Sequence, residues 1–152
     1  MANLAWMGLG QEESLEAAEM SPENILIITD RQEYKAGEVV RVTIKNQSGG
    51  IIFCHVGVEG IKHIEKKTAE GGWEKLFAMC RPPHCFYDIG PPQAVGPGVV
   101  KTFDWKPLIY VNGTSKTAPA KPGQYRLSLL YQEQQGKDWK STYTNMFVIQ
   151  EP

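Results

Sequence analysis

Long hydrophobic runs are missing from this sequence. Nowhere do apolar residues approach the roughly 20 in succession that a membrane-spanning helix needs, which argues against a helical span. Cysteine and histidine are scarce, three of each in 152 residues. No Gly-x-Ser-x-Gly elbow occurs, and no Cys/His pair has a recognisable orienting partner, so the chain reads as non-enzymatic, with no cofactor and no assigned metal. Charge of one sign is not in surplus: 16 basic and 17 acidic side chains leave a net charge of -1, with no general attraction to nucleic acid or anionic lipid. Basic residues are absent ahead of Arg31, while Glu12, Glu13, Glu16, Glu19 and Glu23 all precede it. Subtracting those five carboxylates from -1 leaves the remainder at +4. Residues 1–24 are therefore expected to be an acidic, flexible leader ahead of one domain over 25–152. Residues 1–10 are apolar and include Trp6, but lack the basic start and unbroken apolar centre of an intact secretory signal. One domain of this size buries roughly 68–70% of its unfolded surface, enough to fold without staples.

What is present is alternation. A turn at Ala36-Gly37-Glu38 feeds residues 39–46, where Val40, Val42 and Ile44 share one face. A second turn at Pro122-Gly123 opens residues 125–131, placing Tyr125, Leu127, Leu129 and Tyr131 together. Residues 25–29 form a short apolar run read as the first strand, and 30–37 read as its turn. Residues 51–58 alternate with Ile52, Cys54, Val56 and Val58 on the more apolar face. Residues 61–78 read as a hairpin turning at Glu70-Gly71-Gly72. Residues 99–105 and 140–150 supply further strands. Between them lie two long connections, 79–98 with five prolines and 106–122. The expected fold is all-β, an immunoglobulin-like sandwich of seven or eight antiparallel strands.

The strand openings resemble a known group. Tyr34-Lys35-Ala36-Gly37-Glu38-Val39-Val40 with Asn46 closing the strand, Gly72-Trp73-Glu74-Lys75, Phe103-Asp104-Trp105 and Pro122-Gly123-Gln124-Tyr125-Arg126-Leu127 are similar to bacterial immunoglobulin-like domains. These include the intracellular proteinase inhibitor type and domains of lipoproteins and surface proteins. The resemblance covers residues 25–150 and implies a fold and a binding role, with no catalytic positions to carry over. It implies a protein partner and an extracytoplasmic or cell-surface location.

The chemically richest segment is Cys80-Arg81-Pro82-Pro83-His84-Cys85, followed by Phe86 and Tyr87. A local disulfide between Cys80 and Cys85 would brace the loop and require an oxidising compartment; pairing of Cys54 with either loop cysteine is the other arrangement. Arg81, Pro82, Pro83, His84, Phe86 and Tyr87 are the candidate binding loop. Two alternatives use the same segment. One is proteinase inhibition by the proline-rich loop 79–98, whose rigidity would limit the entropy lost on docking. The other is a copper or redox site at Cys80 and His84, with Cys85, His55 or His63 as further ligands, since thiolate and imidazole suit copper. Trp73 and Trp139, beside turns, are candidates for stacking on sugar, and Trp105 reads as core. Asn46-Gln47-Ser48 and Asn112-Gly113-Thr114 match glycosylation acceptors, a match read as accidental.

Overall fold

Apolar side chains at every second position must be hidden on one face of each strand, and two such faces bury each other. The protein, described here from a computed structural model over residues 24–79, 90–111 and 114–152, does this with strands alone and one 3₁₀ turn, Val58–Gly60. In chain order the strands are β1 (Ile25–Thr29), β2 (Glu33–Tyr34), β3 (Val40–Asn46), β4 (Ile52–Cys54), β5 (Ile61–Lys67), β6 (Trp73–Leu76), β7 (Gln93–Val95), β8 (Val100–Trp105), β9 (Leu108–Tyr110), β10 (Thr117–Pro119), β11 (Gly123–Tyr131), β12 (Lys140–Tyr143) and β13 (Phe147–Ile149).

One sheet runs β1-β3-β8, antiparallel throughout. The other runs β2-β13-β11-β5-β6, with β12 also pairing β11. Two short pairs, β4 with β7 and β9 with β10, complete the chain. Val40, Val42, Ile44 and Trp105 from the first sheet meet Ile64, Tyr125, Leu127, Phe147 and Ile149 from the second in one core. Trp105 and Phe147 touch edge to face across the layers, with ring centroids 6.3 Å apart.

The alternating stretches at 39–46 and 125–131 bury the faces their spacing predicts. Elsewhere the structure corrects the sequence reading. The turn assigned to 30–37 contains β2, whose pairing with β13 is parallel, so the ladder is not wholly antiparallel. Tyr34 there is 1% exposed; its hydroxyl donates to Asp30 Oδ1 at 2.5 Å, and that oxygen also accepts the Arg41 N–H. The strand expected over 51–58 stops at Cys54, and the chain turns so tightly that a Cβ on Gly60 would strike the His55 carbonyl. The single strand expected over 140–150 is two, because the Thr144 hydroxyl takes the Leu127 N–H at 3.0 Å and interrupts the ladder. The connection 79–98 contains β7, and 106–122 is a hairpin.

Asn46, read as a glycosylation match, is 1% exposed. Its amide donates to the carbonyls of Gly50 and Val95, each at 2.8 Å, and its oxygen accepts from Ser48. That nitrogen is committed to holding one end of the sandwich. Asn46→Ala removes the side-chain bonds to the Val95 and Gly50 carbonyls, the latter keeping only the Ser48 hydroxyl at 3.1 Å, and is expected to cost about 2 kcal/mol in urea unfolding, given roughly 0.5–1.5 kcal/mol per hydrogen bond. A loss under about 0.5 kcal/mol would contradict this role.

Candidate interaction surface

The residues singled out for binding and disulfide formation, Cys80, Arg81, Pro82, Pro83, His84, Cys85, Phe86 and Tyr87, lie outside the described residues, as do residues 1–23 and the Asn112 motif. The structure does fix where that connection departs. Ala78 is buried, and the Phe77 carbonyl beside it accepts the Tyr110 N–H at 2.9 Å. The two long connections of the sequence are therefore joined at their roots. Through this bond the β9–β10 hairpin, a two-stranded sheet of its own, is tied to the residue that follows β6.

Within the hairpin, Thr117 faces Tyr110, Ala118 faces Ile109 and Pro119 faces Leu108. Every residue of β10 is exposed. In an antiparallel ladder, facing residues either exchange both backbone bonds or direct both away. The Tyr110 N–H leaves toward Phe77, so the N–H and C=O of its opposite number Thr117 point outward, away from β9. Val111 at the hairpin tip is 46% exposed. Lys106, Lys116 and Lys121 are exposed along the hairpin, none with a carboxylate partner among the described residues. No Asp or Glu occurs between Asp104 and Glu133.

A second cluster lies on the outer face of the larger sheet. β11 sets Arg126 opposite Glu65 of β5, and both its Nε and Nη2 come within 2.9 Å of Glu65 Oε1. The guanidinium lies 4.2 Å from the Trp73 ring centroid and 3.9 Å from that of Tyr143, well inside cation–π range. Lys67 also approaches Trp73, at 5.7 Å. Trp73, read as a sugar platform, is thus engaged by cations of its own chain. No sequence spacing reveals this cluster, because it joins four strands, β5 and β6 with the distant β11 and β12.

Of the other candidates, Trp105 is core. Trp139 is 42% exposed and stacks on His55, with centroids 5.9 Å apart. His63 meets Phe77 edge to face at 5.4 Å. Among the described residues no group of three or more His, Cys, Asp or Glu is placed to hold a metal, and no helix is long and apolar enough to cross a membrane. Cys54 is a free, buried thiol packed in the core, while its two possible partners, Cys80 and Cys85, lie outside the described residues.

Burial pushes the Cys54 thiol up to about 11. Tyr34 rises to about 12 through burial and its bond to the Asp30 carboxylate, and Tyr125 to about 12 through burial with Glu74 nearby. Each acid holds its proton in the fold at a pH where the unfolded chain has released it. The native state then binds more protons, so stability falls as pH rises. The urea midpoint is expected to drop steadily from about pH 9 toward pH 11, and Cys54→Ala should flatten the lower part of that window. A midpoint constant across it would refute the prediction.

No protein-family model and no curated protein matches this sequence. Among solved structures the chain is similar to a β-glucosidase from Listeria innocua in complex with gluconolactone, with 18% identity and a TM-score of 0.32 over 82% of this chain and 16% of that one. A mutant of that enzyme in complex with laminaribiose gives the same identity, coverage and TM-score. The chain spans about a sixth of the enzyme's length, and a TM-score of that size establishes no shared fold.

Proposed function

We propose that this chain is a non-enzymatic, immunoglobulin-like module of a bacterial extracytoplasmic protein, and that it binds a protein partner where the β9–β10 hairpin meets the root of the 79–98 connection. Two features support the immunoglobulin-like reading. The Tyr125 hydroxyl, near the start of β11, donates back to the Lys121 carbonyl at 2.5 Å, which is the geometry of the tyrosine corner of such sandwiches. The second is the arrangement itself, a three-stranded antiparallel sheet packed on a larger sheet that β2 joins at its edge.

The observation that carries the binding role is the hairpin: an exposed terminal strand with outward backbone groups, an exposed valine and three lysines with no carboxylate partner among the described residues, tied by a backbone bond to Phe77. Binding groups on segments that a rigid scaffold positions are the usual economy of β-sandwiches, and a free strand edge is a ready template for a partner chain. Cross-linking to partners in the source cells tests it. Replacing residues 108–119 by a short Gly/Ser link, with the fold verified by near-ultraviolet circular dichroism, is expected to abolish specific capture. Capture that survives this change, and equally the loss of the 80–89 segment, would overturn the proposal.

A further inference from the structure

We infer that the β9–β10 hairpin takes an extended acidic peptide segment of its partner, added as a strand along β10; this deepens the interaction-module reading and rests on it. Three observations converge on that chemistry. First, β10 is paired on one side only among the described residues, and Thr117 directs both its N–H and its C=O outward. Pro119 has no N–H to give, so the edge offers one donor at Thr117 and carbonyl acceptors at Thr117 and Pro119. That short pattern suits pairing with two or three residues and discourages longer, indiscriminate sheet growth.

Second, charge along the hairpin has one sign. Lys106 and Lys121 flank its open end, where the Ala120 N–H donates to the Pro107 carbonyl at 2.9 Å, and Lys116 stands at the other end, where its carbonyl accepts the Val111 N–H. The hairpin itself carries no carboxylate to oppose an incoming one, since the nearest acidic residues in sequence are Asp104 and Glu133, and Asp104 is already paired with Arg41 at 3.0 Å. A basic peptide on the same edge would stand beside three ammonium groups that have no carboxylate partner among the described residues, and complementary charge selects partners in this way. Third, Val111 adds an apolar contact at the tip, so the fitting segment carries an apolar side chain near one end.

The test uses the full chain and a synthetic probe, a nine-residue peptide alternating Glu with Val, beside a Lys/Val peptide of the same pattern. Fluorescence anisotropy is expected to show binding of the acidic probe alone, weakened about tenfold by Lys116→Glu with Lys121→Glu and also weakened by raised salt. A probe N-methylated on the amides that would pair with β10 should lose binding while the protein is untouched. Equal binding of both probes, or binding indifferent to the lysine variants, overturns the inference. The chain's own acidic residues are the competing occupant: changing Glu12, Glu13, Glu16, Glu19 and Glu23 together to Gln would raise affinity for the probe tenfold or more if they held the site, and that result also overturns it. If the acidic probe fails but hairpin replacement still abolishes partner capture, the proposed chemistry falls and the interaction module stands. If capture also survives, both fall.

Discussion

Arg126→Met is expected to destabilise the fold by about 3–5 kcal/mol, the cost of leaving a buried charge without its partner. Glu65 exposes 4% of its side chain and Arg126 14%, so neither is a surface ion pair of negligible worth. Methionine keeps the aliphatic stem and removes the guanidinium, so the loss reports its ion pair with Glu65 together with its contacts to the Trp73 and Tyr143 rings. The double variant Arg126→Met with Glu65→Leu removes both charges and is expected to regain most of the stability, because an apolar pair avoids the desolvation that an ion pair must offset. Urea unfolding of the four proteins of this cycle measures the coupling directly. Additive single losses, with no recovery in the double variant, would show that the two charges do not depend on each other.

Trp105→Ala should cost as much, about 3–5 kcal/mol, by removing the largest wholly buried side chain from the contact between sheets. Trp105→Phe separates size from polarity. The indole N–H has no hydrogen-bond partner among the described residues, and on that footing its burial carries an unmet desolvation cost of roughly 1–3 kcal/mol. Phenylalanine gives up volume but also removes that orphan donor. Its net cost is expected to stay below about 1.5 kcal/mol, in the range of modest core replacements. A Phe variant as unstable as the Ala variant would mean that the indole N–H contributes stability in its buried setting.

The sequence makes legible whatever depends on a period of two. Val40, Val42 and Ile44 on β3, and Tyr125, Leu127 and Leu129 on β11, turn inward as their alternation requires, and Trp105 enters the core beside them. β2 escapes such a reading because two residues carry no period; its existence depends on Val148 and Ile149, more than a hundred positions away. The break between β12 and β13 depends on one threonine hydroxyl standing in for a backbone group. The hairpin at 106–122 hides behind Pro107, Pro119 and Pro122, since proline signals a loop unless the missing N–H falls where no ladder bond is needed. Site residues were less legible still. The stack of Trp73, Arg126 and Tyr143 over Glu65 is assembled by register between β5, β6, β11 and β12, and no local pattern encodes register across such distances.

The parallel pairing of β2 with β13 has a mechanical consequence. Strands that run the same way, when pulled at the start of one and the end of the other, slide lengthwise, and the bonds across them bear load together instead of parting one after another. Tension entering through the Asp30–Gln32 turn and leaving beyond Ile149 meets the bonds from Val148 to Gln32 at 2.8 Å and from Gln150 to Tyr34 at 2.7 Å in this shearing geometry. Behind them Tyr34 is anchored by its hydroxyl to Asp30 and by its ring to Phe147, with centroids 5.7 Å apart. The edge that closes the larger sheet is therefore also the clasp that resists extension, and it resists by a few bonds broken at once.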